Sequence, residues 1–189
     1  MKELLTNLRL VILSVLLCCV AYPALLLAFA QMVVPWKADG SLLTNEQGQI
    51  VGSAQLAQAF TRPEYFWPRP SAVNYNASAT GGSNLSPTNP RLTERARELI
   101  AQYGGSTAAP VPADLMAASG SGMDPHITRA AARYQVPRVA AARGLPLHDV
   151  EAVIASASEV DALRVFGGEP LVNVLRLNLA LDALAANNP

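Results

Sequence analysis

Residues 11–34 read VILSVLLCCVAYPALLLAFAQMVV, and the reading of this stretch decides the architecture of the chain. It contains no charged residue, and only Ser14, Pro23 and Gln31 depart from apolar or small side chains. About 20 predominantly apolar residues suffice to cross a bilayer as a helix, so the stretch predicts a transmembrane span. Its flanks suit that reading: Lys2 and Arg9 precede it, and Trp36 and Lys37 follow it where an amphipathic ring and a snorkelling ammonium would sit. Pro23 is expected to kink the helix without preventing it from spanning. Ala28-Phe29-Ala30 has the small-x-small form that a signal peptidase accepts, but the apolar run exceeds the ~7 to 15 residues of a signal-peptide core. A retained anchor is therefore the expectation. Lipoprotein processing fits badly, because Cys18 and Cys19 follow the bulky pair Leu16-Leu17. The basic residues before the span predict a cytoplasmic N-terminus, with everything after it outside.

The expected organisation is a short N-terminal tail at 1–10, a transmembrane helix at 11–34 and one soluble domain at 35–189. With about 150 residues that domain can bury its own core. Its fold class reads as mixed α/β, α+β-like. Lys and Arg together number 14, as do Asp and Glu, so no charge imbalance points to nucleic acid or another polyanion. No Cys lies beyond Cys19, which leaves the domain without disulfides and its redox compartment undefined.

Within the domain, residues 69–90 read RPSAVNYNASATGGSNLSPTNP, almost without aliphatic side chains. Pro presets φ, Gly permits positive φ, and Asn, Ser and Thr bond back onto neighbouring amides. The composition predicts a structured loop. Around it, Ser41–Thr44 and Gln49–Ser53 read as short strands joined by a turn at Asn45-Glu46-Gln47-Gly48, and Ala54–Phe60 as a short helix. Asn89 can cap a helix that begins at Pro90, with Leu92, Ala96, Leu99, Ile100 and Tyr103 on one face and Gly104 closing it. Ala113–Ala118 reads as a turn or two of helix, Thr128–Tyr134 and Arg138–Arg143 as helices divided by Pro137, and Asp149–Ser158 as another. Near the end, leucines at 171, 175, 177, 179 and 181 alternate with Val172, Val174, Arg176, Asn178 and Asp182, a period of two that favours a half-buried strand, although the Leu-rich sequence is compatible with helix.

No enzyme constellation emerges, so no catalytic residue is assigned. A G-x-x-x-x-G-K-[ST] phosphate loop is absent, and His126 and His148 lack partner ligands at metal spacing, so no metal site and no tightly bound cofactor are expected. Ser119-Gly120-Ser121-Gly122 is a weak candidate for a backbone nest holding a nucleotide or other anion, and a tight turn of small residues is the simpler reading. Arg129, Arg133, Arg138 and Arg143 occur where residues 125–147 carry no carboxylate. They read either as a cationic strip for phosphate or an acidic partner, or, preferably, as a solvated face pairing with Asp149, Glu151, Glu159 and Asp161. His126, beside Asp124 and Pro125, reads as a turn residue bonded to the chain. Two further function classes stay open: an anchored envelope protein whose Asn/Gly loop binds a small ligand, and a tethered hydrolase using Ser121, His126 and Asp124, the weaker because near neighbours in sequence seldom supply an oriented nucleophile and base.

Several motifs in order carry a resemblance. One N-terminal span is followed by Tyr65-Phe66 with Arg69-Pro-Ser-Ala72, then Gly81-Gly-Ser-Asn-Leu85 with Pro87-Thr-Asn-Pro90, then Ser119-Gly-Ser-Gly-Met-Asp-Pro-His-Ile127, and finally Val172-Asn-Val-Leu175 with Leu177-Asn-Leu-Ala-Leu-Asp182. The chain resembles the C-subunit family of the Kdp potassium-transporting ATPase over nearly its whole length. Thr80, Ser86 and Met123 stand where the family pattern has Ser, Gly and commonly Leu.

The resemblance implies a single-span accessory subunit in a complex of the bacterial inner membrane. Its partners would be a channel-like potassium-conducting subunit, a catalytic P-type subunit that hydrolyses ATP through an aspartyl phosphate, and a small peptide subunit, with lipid around residues 11–34. It implies a non-catalytic role in assembly and in raising the ATP affinity of the catalytic subunit, with ATP reached through that subunit. If the domain lies outside the cytoplasm, such an effect is an indirect coupling through the assembled complex. Expected partner contacts are Arg69, Asn74, Tyr75, Gly81, Gly82, Ser83, Asn84 and Asn89, all in the Asn/Gly-rich loop.

Overall fold

The computed structural model describes residues 1–159 and 170–187. The chain divides into two compact units, Met1–Leu42 and Leu43–Pro189.

In the first unit, α1 (Lys2–Val15), a wide π-helical turn (Leu16–Ala21) and α2 (Tyr22–Val33) form one helix of 32 residues, long and apolar enough to cross a membrane. Helix begins at Lys2, so the expected tail at 1–10 is helical. At 1.5 Å per residue the helix is about 48 Å long, more than the ~30 Å of a hydrocarbon core. The wide turn has a local cause. Pro23 has no N–H and its ring crowds the carbonyl of Cys19, and widening the preceding turn relieves both effects. The helix ends at Val34, whose φ of −141° leaves the helical region, and α3 (Pro35–Ala38) adds one turn. Gln31 Nε2 donates to Asp39 Oδ1 at 2.8 Å and Trp36 Nε1 to the Leu42 carbonyl at 3.0 Å, fixing that corner.

The second unit opens with the expected hairpin of β1 (Leu42–Thr44) and β2 (Ile50–Ser53). Its turn is closed by Gly48 N–H to the Asn45 carbonyl and by Gln49 N–H to Asn45 Oδ1, with Gly48 at φ 74°. Residues 54–60 are not the expected helix. Their backbone is drawn into long-range bonds instead: Asn173 Nδ2 donates to the Ala54 carbonyl and Ala57 N–H to the Met123 carbonyl.

α4 (Pro90–Tyr103) starts as read, with Asn89 Oδ1 accepting from Arg91 N–H at 3.0 Å, and ends at Gly104 with φ 66°. α5 (Ala113–Met116) is short. β3 (His126–Thr128) leads into α6 (Arg129–Arg143), capped by Thr128 Oγ1 on Ala131 N–H. α6 is continuous through Pro137, contrary to expectation. Pro137 and Arg133 both lie exposed, so the carbonyl that loses its helical donor is open to water. α7 (Leu147–Ala157) follows. β4 (Ser158–Glu159), β5 (Leu171–Asn173) and α8 (Val174–Asn187) complete the fold.

β5 is the centre of an antiparallel sheet ordered β3-β5-β4, with Val172 opposite Ile127 on one side and Ser158 on the other. α6, α7 and α8 pack with this sheet around a core that includes Phe66, Ile127, Val139, Val150, Ile154, Val172, Leu177 and Leu181. The expected strand over Leu171–Asp182 is a strand only to Asn173. Asn173 Oδ1 then accepts from Arg176 N–H and starts the helix. A helix that is apolar on more than one side carries leucine at alternate positions as readily as a strand does.

Candidate functional site

The two small-residue segments singled out by composition fold onto each other. Ser119 N–H donates to the Pro70 carbonyl at 2.9 Å, Gly81 N–H to the Ser121 carbonyl at 2.9 Å, and Ser71 Oγ to the Gly122 carbonyl at 2.6 Å. Arg69 Nη1 meets Asp124 Oδ2 at 3.1 Å. Gly122 sits at φ 72°, and a Cβ there would come within 2.5 Å of Val73 Cγ2 and 2.8 Å of the Gly81 carbonyl. The loop 69–90 is thus an ordered platform built on residues 119–124.

Its backbone is held in sparsely populated conformations. Asn74, Tyr75 and Asn84 adopt φ of 51°, 56° and 50°, a region that disfavours side-chain-bearing residues. Tyr75 is kept there by its N–H on Ser71 Oγ and by its hydroxyl on the Arg69 carbonyl. Burial raises the Tyr75 phenol above its ordinary pKa. Beside it, Phe60, Trp67, Tyr75 and Tyr103 line a pocket of about 240 Å³, and burial raises the Tyr103 phenol strongly.

Of the eight residues read as partner contacts, Asn74 and Asn84 present exposed side chains that hydrogen-bond to no described residue. Gly81, Gly82 and Ser83 are half-buried beside them. Arg69 is occupied by Asp124, Tyr75 by the loop backbone, and Asn89 by its cap. In the weak anion candidate, Ser119 is buried, and its Oγ accepts from Gly122 and Asp124 N–H. Gly120 and Ser121 are exposed.

The four arginines do not act as one strip or one solvated face, because Arg138 and Arg143 turn inward onto the chain. Arg138 Nη1 donates to the Pro63 and Tyr65 carbonyls, and its guanidinium lies 3.8 Å from the centre of the Trp67 ring. Burial lowers its pKa to about 10, so it stays charged at neutral pH. Arg143, 9% exposed, donates from Nε to the Glu64 carbonyl and from Nη2 to Asp182 Oδ1, each at 2.7 Å. Arg133 is exposed and Arg129 half-buried. Arg138 and Arg143 follow the backbone at 63–65 because its carbonyls, unpaired in any strand, accept from them. Asp149 pairs with His148 at 3.1 Å, and Asp161 lies outside the described residues. His126 opens β3, and its N–H donates to Asp124 Oδ1.

Two buried carboxamides complete this arrangement, and sequence reading missed both. Gln135 accepts Trp67 N–H on Oε1 and donates from Nε2 to the Trp67 carbonyl; Asn178 does the same for Phe66. A polar residue amid the leucines of 171–181 was the available signal for Asn178, and the strand reading assigned it to the outward face. Among the described residues no group of three or more His, Cys, Asp or Glu is placed to hold a metal. What the geometry offers is an ordered surface fastened by hydrogen bonds between segments remote in sequence.

A family model described as the K+-transporting ATPase, c chain, KdpC, matches residues 4–183. The chain is 48% identical over 182 residues to the potassium-transporting ATPase KdpC subunit of Parvibaculum lavamentivorans, covering 96% of this chain and 97% of that protein. It is 46% identical over 188 residues to the protein of the same name from Synechocystis sp., covering 96% and 98%. With that of Burkholderia ambifaria the identity is 51% over 174 residues, 88% of each chain.

Proposed function

The chain belongs to the KdpC family of the K+-transporting ATPase, and from that premise we propose that it is a membrane-anchored accessory subunit whose Asn/Gly platform contacts a partner subunit. The observation that carries this reading is the pair of exposed asparagines, Asn74 and Asn84, whose side chains bond to no described residue and which are held at positive φ on a loop fastened to residues 119–124. A loop fixed in this way loses little further freedom when it docks, which favours recognition. An envelope ligand-binding protein is not favoured.

The 32-residue helix serves as the anchor, with Lys2 and Arg9 on the cytoplasmic side and the domain outside. The partners are the potassium-conducting and catalytic P-type subunits, together with the small peptide subunit. The role is assembly of that complex and, through it, a higher ATP affinity in the catalytic subunit. With the domain outside, the coupling to nucleotide is indirect, and the exposed Gly120-Ser121 turn is a second point for partner contact.

Co-purification in mild detergent after co-expression with the other subunits tests the assignment. The chain is expected to stay with the multi-span subunits, and recovery as a lone monomer would defeat it. Asn74→Gly with Asn84→Gly, which removes both side chains while keeping positive φ accessible, is expected to weaken co-purification and potassium-stimulated ATP hydrolysis while leaving the melting temperature of the isolated chain nearly unchanged. Orientation is read by introducing Glu98→Cys on exposed α4 in a Cys18→Ser, Cys19→Ser background: labelling of intact cells by an impermeant maleimide is expected, and labelling only after membrane opening would place the domain inside.

A further inference from the structure

Helix α8 is apolar on a side the core does not use. Val174, Leu175, Leu177 and Leu181 are buried, whereas Leu179, Ala183 and Ala186 follow one another at helical spacing along an open trough. The trough runs between α8 and the hairpin turn at Asn45–Gln47. Its two parts, about 440 and 640 Å³, meet at Val51, Leu179 and Asp182. An apolar helix side is ordinarily turned onto a neighbour, yet here Leu179 and Ala183 are half-buried and Ala186 exposed.

The charges on the rim are unequal. At one end Arg62 is paired with Glu64 at 3.2 Å. Midway, Asp182 is satisfied by Arg143 and the Tyr65 hydroxyl. Glu46, exposed in the hairpin turn, has no ion-pair partner among the described residues. The trough thus combines an aliphatic floor with one carboxylate that has no ion-pair partner among the described residues.

We propose that this trough seats a segment of another subunit of the same complex, one presenting aliphatic side chains to Leu179 and Ala183 and a lysine or arginine to Glu46. This surface is separate from the Asn/Gly platform, and it rests on the accessory-subunit reading above. The floor supplies affinity through apolar burial. Glu46 supplies register, because a partner carboxylate at that point would be repelled.

The test uses the full chain co-expressed with its partner subunits, in a Cys18→Ser, Cys19→Ser background. Ala183→Cys and Ala186→Cys, each a small change, report on the trough, and Glu151→Cys on exposed α7 is the control. Thiol reactivity toward a hydrophilic maleimide is expected to fall at least tenfold on assembly at 183 and 186 and to stay unchanged at 151. Glu46→Lys is expected to raise the 183 rate in the complex at low salt, with Glu46→Gln in between. Equal rates at 183 and 186 in the free chain and in an intact complex overturn the proposal alone. Failure of the chain to co-purify overturns the subunit reading and the trough with it. Protection in the isolated chain that rises with its own concentration assigns the trough to a second copy and also overturns the proposal.

Discussion

The side-chain amide of Asn178 is bonded to both polar groups of Phe66: its Oδ1 accepts Phe66 N–H at 2.8 Å and its Nδ2 donates to the Phe66 carbonyl at 3.0 Å. Phe66 is fully buried and belongs to no strand, so the carboxamide takes the place of a neighbouring strand. Removing one partner of a buried hydrogen bond leaves the other desolvated and unpaired, at ~1–3 kcal/mol per group. Asn178→Ala is therefore expected to cost about 3 kcal/mol, read as a lower denaturant midpoint with little change in slope. Asn178→Asp keeps the acceptor but loses the donor and buries a charge, and should cost at least as much. A midpoint unchanged by both substitutions would show that the 65–67 segment is held by something else.

Arg143→Ala is expected to cost about 3 kcal/mol, because it strips charged hydrogen bonds from the Glu64 carbonyl and Asp182 at a nearly buried site. Arg138→Lys should cost about 1 kcal/mol and shift tryptophan fluorescence, since an ammonium cannot lie flat over Trp67 while reaching two carbonyls. Arg133→Ala, on the exposed side of the same helix, should be neutral. Three equal effects would return these arginines to the solvated face expected from composition.

Gly122→Ala is expected to destabilise by about 2 kcal/mol or more, since it combines a positive φ with a Cβ pressed against Val73 and the Gly81 carbonyl. Gly120→Ala, two residues away, meets nothing within 4 Å and should stay within about 0.5 kcal/mol of the parent. If the first variant is inert, the loop 69–90 is not fastened to residues 119–124 in solution. Loss of co-purification in Gly122→Ala without loss of melting temperature would instead show that platform shape matters more to assembly than to stability.

Much of this was legible because local rules carried it. Asn89, Pro90 and Gly104 mark their helix by capping chemistry alone, and the hairpin turn at Asn45–Gly48 follows from its residues. The apolar run at 11–34 is a helix because nothing competes with that choice. Legibility failed where the deciding partner is remote. Arg138 and Arg143 bond to carbonyls 73 to 79 residues earlier, a relation no spacing within 129–143 can express. Leu171–Asp182 looked like a strand because α8 is apolar on two sides, one against the core and one along the trough. Of the loop, composition told that it is ordered but not that residues 119–124 order it, and Asn74 and Asn84, whose side chains bond to no described residue, could be chosen only after their neighbours proved occupied.

The clasp between the two loops should weaken in acid. Asp124 takes a hydrogen bond from His126 and pairs with Arg69, and these hold its carboxyl below the ordinary range; the His126 side-chain bond acts most strongly, burial opposes it and Arg69 adds to it. A carboxylate whose folded pKa is depressed binds fewer protons folded than unfolded in the window between the two values, so its contribution is complete above the ordinary value near pH 4 and disappears as pH falls through the folded one. Asp124→Asn is thus expected to be less stable than the parent at pH 7 and to converge with it below about pH 4. Urea midpoints at pH 7, 5, 4 and 3 supply the test, with His126→Gln as a partial mimic that reduces the acid slope without abolishing it. Parallel curves for parent and Asp124→Asn across this range would mean that the Arg69–Asp124–His126 contact contributes no net stability, and that the platform depends on its backbone bonds to Ser119, Ser121 and Gly122 alone.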